Sequence, residues 1–319
     1  MPGFFSKTSQ RRVGIDISAQ SIKIVELRRS RSVFTLEAYA IEPLLIKPSG
    51  DLTSADPKSV AVVLTNALEK ADVLARQAVV AVPDALATSK TLAVEADLTG
   101  DDLELYVRLE AEQHVPYGLE DMALDFEVQG RSHNYPGRSD VLLVVCRQAT
   151  LAWYQTVLNR AGLSERVITV QAHGLARAVG VLAGAQSSRA IAVVDFGLRT
   201  TLLSVVSREQ VIYSRELLFG SDGLDDEAFK VAALEHLGRG LALFAESGTG
   251  GVVSSILLSG ENPLPAMLGV WIEGQCGLPT QLANPFATMA LNPVLTPDTL
   301  RGDASRLLTA CGLAIRGFD

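Results

Sequence analysis

Gly14-Ile15-Asp16-Ile17-Ser18-Ala19-Gln20-Ser21 and Val193-Val194-Asp195-Phe196-Gly197-Leu198-Arg199-Thr200 are two copies of one pattern. In each, an apolar strand delivers an aspartate, a small residue follows two positions on, and a hydroxyl three beyond that. A second strand then runs directly on. Two such hairpins in one chain predict a duplicated α/β fold with a cleft between the copies. The chemistry suited to that cleft is phosphate binding. Backbone N–H groups in a tight turn form an anion nest, and Ser or Thr hydroxyls add donors. The aspartates, Asp16 and Asp195, can hold Mg²⁺ through water, because that ion gives up its hydration shell reluctantly. The competing reading is that each aspartate merely ends a strand at a turn.

The flanking segments extend this pattern. Val13–Ile17, Ser21–Leu27 and Phe34–Ile41 alternate apolar residues with no helical period, so they read as three successive antiparallel strands. Asp56-Pro57 places a capping carboxylate before a proline suited to the first helical turn, and Val60, Leu64, Ala67, Leu68, Ala71 and Leu74 form a helical stripe behind it. Gln77–Val82 is a buried strand closed by Pro83. Residues 87–147 read as an inserted β-α-β-β unit, with a helix capped at Thr99 and a loop over Arg131–Asp140. The chain then resumes with helices from Ala149 and Ala172. Gly184–Arg189 is the expected linker. The second half supplies strands at 190–196, 201–207, 210–216 and 252–258, a helix from Asp225, and a closing helix with Leu307, Leu308, Cys311, Ala314 and Ile315 on one face. The resulting division is a first lobe from 1–86 and 148–186, an insert at 87–147, and a second lobe from 187–319.

Composition narrows the function class. A chain of 319 residues, 48% hydrophobic and 20% charged, folds, and single cores stop growing near ~250–300 residues, so about two units are expected. A net charge of -8 argues against a nucleic-acid binder; the basic stretches at Gln10–Arg12 and Arg28–Arg31 read as a solvated turn. The three cysteines, Cys146, Cys276 and Cys311, are far apart and fit buried free thiols better than a metal site. No apolar run approaches the ~20 residues that span a membrane, so membrane association is expected only through a partner. None of the four histidines is spaced as a ligand or triad member. Gln171, between a strand and a helix, either orients a water for phosphate hydrolysis or bonds local backbone. Lys23 either neutralises phosphate or lies on an exposed strand face.

Several stretches together resemble the PilM family. They are Val13–Leu27, Leu109-Glu110-Ala111-Glu112-Gln113-His114-Val115-Pro116-Tyr117, Asn284-Pro285-Phe286-Ala287-Thr288-Met289-Ala290-Leu291 and Gly312–Asp319, in order along nearly the whole chain. The resemblance implies a duplicated actin-like (ribonuclease-H-type), two-lobed fold with an FtsA-like inserted subdomain in the first lobe. It implies a cytoplasmic adaptor at the inner face of the inner membrane, docking the cytoplasmic N-terminal peptide of PilN in a groove near 87–147, and weaker contact with the pilus motor ATPase. It also implies ATP and Mg²⁺ in the interlobe cleft. Asp16, Ser18, Ser21 and Lys23 match the first phosphate motif; Asp195, Gly197, Thr200 and Thr201 match the second. Gly220 matches the phosphate-side glycine, and Gly260 lies in the adenosine motif Leu257–Pro263. Against the pattern, Ser221 and Glu261 stand where the family has second glycines, and the second-lobe subdomain, about 224–248, is reduced. A Cβ or carboxylate at these places obstructs or repels a nucleotide. The alternative on the same fold is an active ATPase or small-molecule kinase turning over Mg-ATP.

Overall fold

The computed structural model describes residues 10–44, 52–114, 118–132, 135–183, 189–248, 251–265 and 267–319. Most of the expected linker, and Val115-Pro116-Tyr117, lie outside the described residues.

β1 (Gln10–Ile17), β2 (Ser21–Ser30) and β3 (Val33–Pro43) form the antiparallel meander read from the sequence. α1 (Pro57–Lys70) begins where Asp56 accepts hydrogen bonds from the Lys58 and Ser59 N–H groups, and it leads into β4 (Gln77–Val82), parallel to β1. The insert then builds its own three-stranded sheet: β5 (Ala87–Glu95), α2 (Gly100–Glu112), β6 (Met122–Arg131) and β7 (Arg138–Arg147), in the order β5-β7-β6. The loop expected over Arg131–Asp140 is shorter than that, because β6–β7 pairing continues out to Arg131 and Ser139. Thr99 precedes α2 but its side chain makes no capping bond. α3 (Gln148–Arg160), β8 (Ser164–Val170) and α4 (Gln171–Ala183) complete the first half.

The second half repeats the meander as β9 (Ala190–Phe196), β10 (Thr201–Ser207) and β11 (Gln210–Leu217). One helix, α5 (Asp226–Glu246), crosses to β12 (Val253–Gly260), which is parallel to β9. Then follow α6 (Leu268–Cys276), β13 (Thr280–Leu282), β14 (Ala290–Leu291), α7 (Pro297–Leu300) and α8 (Leu308–Arg316). The two large sheets run β14-β3-β2-β1-β4-β8 and β11-β10-β9-β12-β13. β14, although late in the chain, joins the first sheet.

The hydrophobic clusters define five layers. α1 and α3 cover one face of the first sheet through Leu64, Tyr154 and Val157, and α5 and α6 cover the outer face of the second through Phe229, Leu237 and Ile272. α4 and α8 fill the space between the sheets. Leu175 and Val179 pack against Val193 and Leu202, and Cys311 and Ala314 against Val25 and Leu27. The sequence stripe on α8 predicts one buried face, whereas every residue from Leu308 to Ile315 is buried. A helix sandwiched between two sheets and a second helix has no solvent side. Glycines permit this contact: a Cβ on Gly312 would overlap the Gly174 carbonyl, and one on Gly14 the backbone at Ala310 and Ala314. Cys146 and Cys311 are buried free thiols, while Cys276 is only partly covered.

Candidate functional site

The two repeated turns are built alike. The Ser18 N–H donates to the Ser21 carbonyl at 2.9 Å, and the Gly197 N–H to the Thr200 carbonyl at 3.0 Å. Gly197 is required there, since a Cβ would press on the Thr200 carbonyl. Between the turns lies a cleft of about 530 Å³, lined among others by Asp16, Ser18, Lys23, Gln171, Asp195 and Glu261.

Strand register explains the centre of this site. Asp16 on β1 is directly opposite Lys23 on β2, so both side chains share the cleft face. Lys23 is buried rather than exposed, 3% accessible, with its ammonium 3.3 Å from an Asp16 oxygen. From the other lobe, β12 runs beside β9 with Ser259 opposite Asp195 and its last residue, Gly260, opposite Phe196, so Glu261, the residue that follows the strand, emerges into the cleft. Its carboxylate lies 2.7 Å from the Lys23 ammonium and accepts the Ser21 hydroxyl. The Glu261 N–H donates to the Phe196 carbonyl at 2.8 Å, and Arg306 Nε donates to the Glu261 carbonyl at 2.8 Å. The residue is thus held at both ends of its backbone and at its side-chain tip.

The remaining candidates are placed as follows. Ser18 Oγ accepts from the N–H groups of Gln20 and Ser21, so these turn donors are used within the turn. Gln171 Nε2 donates to Asp195 at 2.9 Å, a bond across the two halves rather than to local backbone. Thr200 donates to Glu216 at 2.8 Å. Thr201 is fully buried and donates to the Phe219 carbonyl, which leaves no hydroxyl for the cleft. Gly220 and Gly260 do not line the cleft. Gly220 lies against the Leu198–Arg199 backbone, with no room for a Cβ, and Gly260 against Phe196. Ser221 N–H donates to the Gly197 carbonyl and Ser221 Oγ accepts from Asn262, which ties the segment after β12 to the second turn.

Electrostatics follow from this packing. Burial pushes Asp16 up to about 6, and Glu261 and Asp195 add to the rise while Lys23 opposes it. Burial works against the charge on Lys23, but Asp16, Glu261 and Asp195 outweigh it and hold the ammonium above its ordinary value. For Glu261, burial would raise the carboxyl; Lys23 and the Ser21 and Ser18 hydroxyls together bring it below its usual value. Asp84, which lines the cleft and accepts the Ala172 N–H and the Ser214 hydroxyl, is pushed up to about 6, chiefly by burial.

A Mg²⁺-triphosphate does not fit these residues. Five carboxylates, from Asp16, Asp84, Asp195, Glu216 and Glu261, line the cleft against the cations of Lys23 and Arg199. Lys23 is already bound to two of them, and Ser21 is spent on Glu261. Among the described residues no group of three or more acidic, histidine or cysteine side chains is arranged to hold a metal ion.

A second concavity, about 380 Å³, opens between the insert and the body of the protein, where Phe126–Gln129 of β6 face Val167–Val170 of β8. Each strand is at the edge of its sheet, paired on one side only. Val128 is half-exposed in the groove. Arg316, paired with Glu127 at 3.1 Å, and Arg177, paired with Glu209 at 2.6 Å, stand at its polar side. His173 is pushed down to about 4, first by burial and then by Arg316, so its ring is neutral near pH 7; it contacts Ser89 at 3.0 Å.

Of the residues named from the sequence, Asp16, Ser18, Lys23, Gln171, Asp195, Gly197 and Thr200 line the cleft, Ser21 reaches it through its bond to Glu261, and Thr201, Gly220 and Gly260 do not line it. Sequence reading missed Arg306 as the anchor of Glu261, and it missed the groove residues of β8. Neither carries a local signal: the partners are far apart in the chain, and only strand order juxtaposes them.

Comparison with known proteins agrees with this architecture. A chain in the solved PilM-PilN type IV pilus biogenesis complex superposes with a TM-score of 0.81 at 21% identity, covering 97% of this chain and 98% of that one. The ethanolamine utilization protein EutJ from Carboxydothermus hydrogenoformans gives 0.53 at 13% identity, covering 96% and 89%. A Bacteroides thetaiotaomicron protein with an actin-like ATPase fold gives 0.50 at 11%, covering 98% and 99%. The fold is therefore actin-like. The sequence profile described as type IV pilus assembly protein PilM matches residues 14–231 and 227–318. The chain belongs to the PilM family of type IV pilus assembly proteins.

Proposed function

We propose that this chain is an adaptor of the type IV pilus assembly complex that captures the extended cytoplasmic N-terminal segment of a PilN partner in the groove between β6 and β8. The observation that carries the reading is the groove itself. Two sheet edges, each paired on one side only, flank a groove of about 380 Å³ lined in part by Phe126, Val128 and Ile168. An extended peptide satisfies such edges by strand addition, while pockets for alternate side chains set specificity. The similar solved chain comes from a PilM-PilN complex, which supports the choice of partner.

Among the described residues no helix is long and apolar enough to cross a membrane. In this proposal the adaptor works in the cytoplasm and is held at the inner face of the inner membrane by PilN, with the motor ATPase as a further contact. It acts as a scaffold rather than an ATPase or kinase: the cleft's polar groups are bonded to each other, Gln171 to Asp195 and Lys23 to Asp16 and Glu261. The test is a calorimetric titration of the full chain with a synthetic peptide of the PilN cytoplasmic N-terminus. Saturable binding that is weakened by Val128→Asp is the expected result; absence of binding overturns the assignment of this partner.

A further inference from the structure

The interlobe cleft has a feature beyond the peptide-capture reading and independent of it. The anion position of the first turn is taken by the protein itself. Ser21 Oγ and Lys23 Nζ, the donors that a hairpin of this type offers to a phosphate, converge on the two oxygens of one carboxylate, Glu261. That carboxylate belongs to the opposite lobe, 238 residues away along the chain from Lys23. We propose that Glu261 is a built-in occupant of the phosphate position, an internal anion that clasps the lobes together and makes their closure independent of nucleotide.

Three further observations carry this. First, the carboxylate is aimed by a fixed backbone: Glu261 N–H on the Phe196 carbonyl, Arg306 on the Glu261 carbonyl, and Ser259 Oγ on the Ser305 carbonyl at 2.8 Å. Second, Glu261 is 5% accessible and Lys23 3%, so the pair lies in the interior, where charge-assisted hydrogen bonds are strong and a lone charge is costly. Third, a polyphosphate entering the cleft would have to expel Glu261 from Lys23 and then sit among Glu261, Asp16, Asp84, Asp195 and Glu216, five carboxylates against the two cations Lys23 and Arg199. The local charge favours the internal ligand over an external one of the same sign. A second bond across the lobes, Gln171 to Asp195, acts in the same direction.

The test uses the full chain and its Glu261→Ala and Glu261→Gln variants, titrated calorimetrically with sodium pyrophosphate and separately with Mg-ATP. Thermal melts are run with and without pyrophosphate. The wild type is expected to bind neither probe at millimolar concentration, with an unchanged melting temperature. Glu261→Ala, which empties the position and frees Ser21 and Lys23, is expected to melt lower. It should gain pyrophosphate affinity by at least about tenfold, because two donors including one charge become available, and pyrophosphate should recover part of its lost melting temperature. Glu261→Gln keeps the side-chain shape and loses the charge, so it carries the test should the alanine variant fail to fold; the same gain, smaller in size, is expected. Wild-type binding of Mg-ATP as tight as that of the variants overturns the proposal. So does a folded variant that gains no anion binding.

Discussion

Replacing Lys23 with methionine is the sharpest test of the cleft's electrostatics. Methionine has nearly the volume of the lysine stem, so packing against β1 and β3 is retained while the ammonium is lost. In the native protein that ammonium serves Glu261 at 2.7 Å and Asp16 at 3.3 Å, all three groups being less than a tenth exposed. Without it, Glu261 keeps only hydroxyl donors and Asp16 loses its one cationic neighbour. Breaking a buried pair by removing one member costs about 3–5 kcal/mol, because the other is stranded. With unfolding entropy of about 2 cal/mol/K per residue, this corresponds to a melting-temperature drop of roughly 4–8 °C for a chain of this size unfolding as one unit. The loss must depend on pH. A carboxyl whose folded pKa stands above its unfolded value holds its proton more tightly in the folded state. Its stabilising contribution is present at low pH and is lost as pH rises through the folded pKa. Asp16 already stands at about 6 with Lys23 present, and removing Lys23 raises it further. At pH 5.5 Lys23→Met therefore folds with Asp16 neutral, and the penalty should fall to about half or less of its value at pH 7.5. Urea denaturation at the two pH values measures this directly. Equal stability of mutant and wild type at pH 7.5, or a penalty that does not shrink at pH 5.5, would refute the reasoning.

Asp84→Asn should be neutral near pH 4 and stabilising by about 1–2 kcal/mol at pH 7.5, read by the same urea titrations, since the charged form of a partly buried carboxyl raised to about 6 is a cost above that pH. Gly312→Ala should destabilise by about 2–3 kcal/mol in thermal melts through overpacking of α8 against α4 at Gly174. Gly238→Ala, at an exposed position inside α5 with open space for a methyl, should instead stabilise by about 0.5–1 kcal/mol. In the groove, Val128→Asp is expected to weaken the PilN peptide by about tenfold or more through loss of an apolar contact, with the melting temperature of the free protein unchanged because Val128 is half-exposed.

The fold was legible because its signals are local. An apolar strand ending in aspartate and a hydroxyl-bearing turn occurs twice, and Asp56-Pro57 opens α1 as its residue types require. The insert was legible as a β-α-β-β pattern, with strand ends off by a few residues because pairing with β7 extends β6 beyond its apolar stretch. The cleft was half legible. Asp16 and Lys23 face each other through a hairpin register that follows from a short turn, so proximity in sequence carries them together. Glu261 stood out only as a departure from a glycine pattern. Its bond to Lys23 depends on where β12 lies beside β9 and on how the two lobes meet, and no local rule encodes either. Thr201 shows the converse: its residue type fits a phosphate motif, but its position after the turn directs the hydroxyl inward to Phe219. The residues that line the groove near the insert escaped for the same reason as Glu261, since two strand edges from separate sheets make it.

The placement of β14 and α8 on the first sheet has a consequence for how the chain is made. β1 to β4 leave the ribosome early, but the helix that covers Val25, Leu27 and Leu36 is synthesised only when residues 308–316 are reached. At about 5–20 residues per second, the face of that sheet waits roughly 10–50 s without its native cover. The emerging chain therefore carries an open apolar sheet through most of its synthesis, and the first half to be translated is among the last to be sealed.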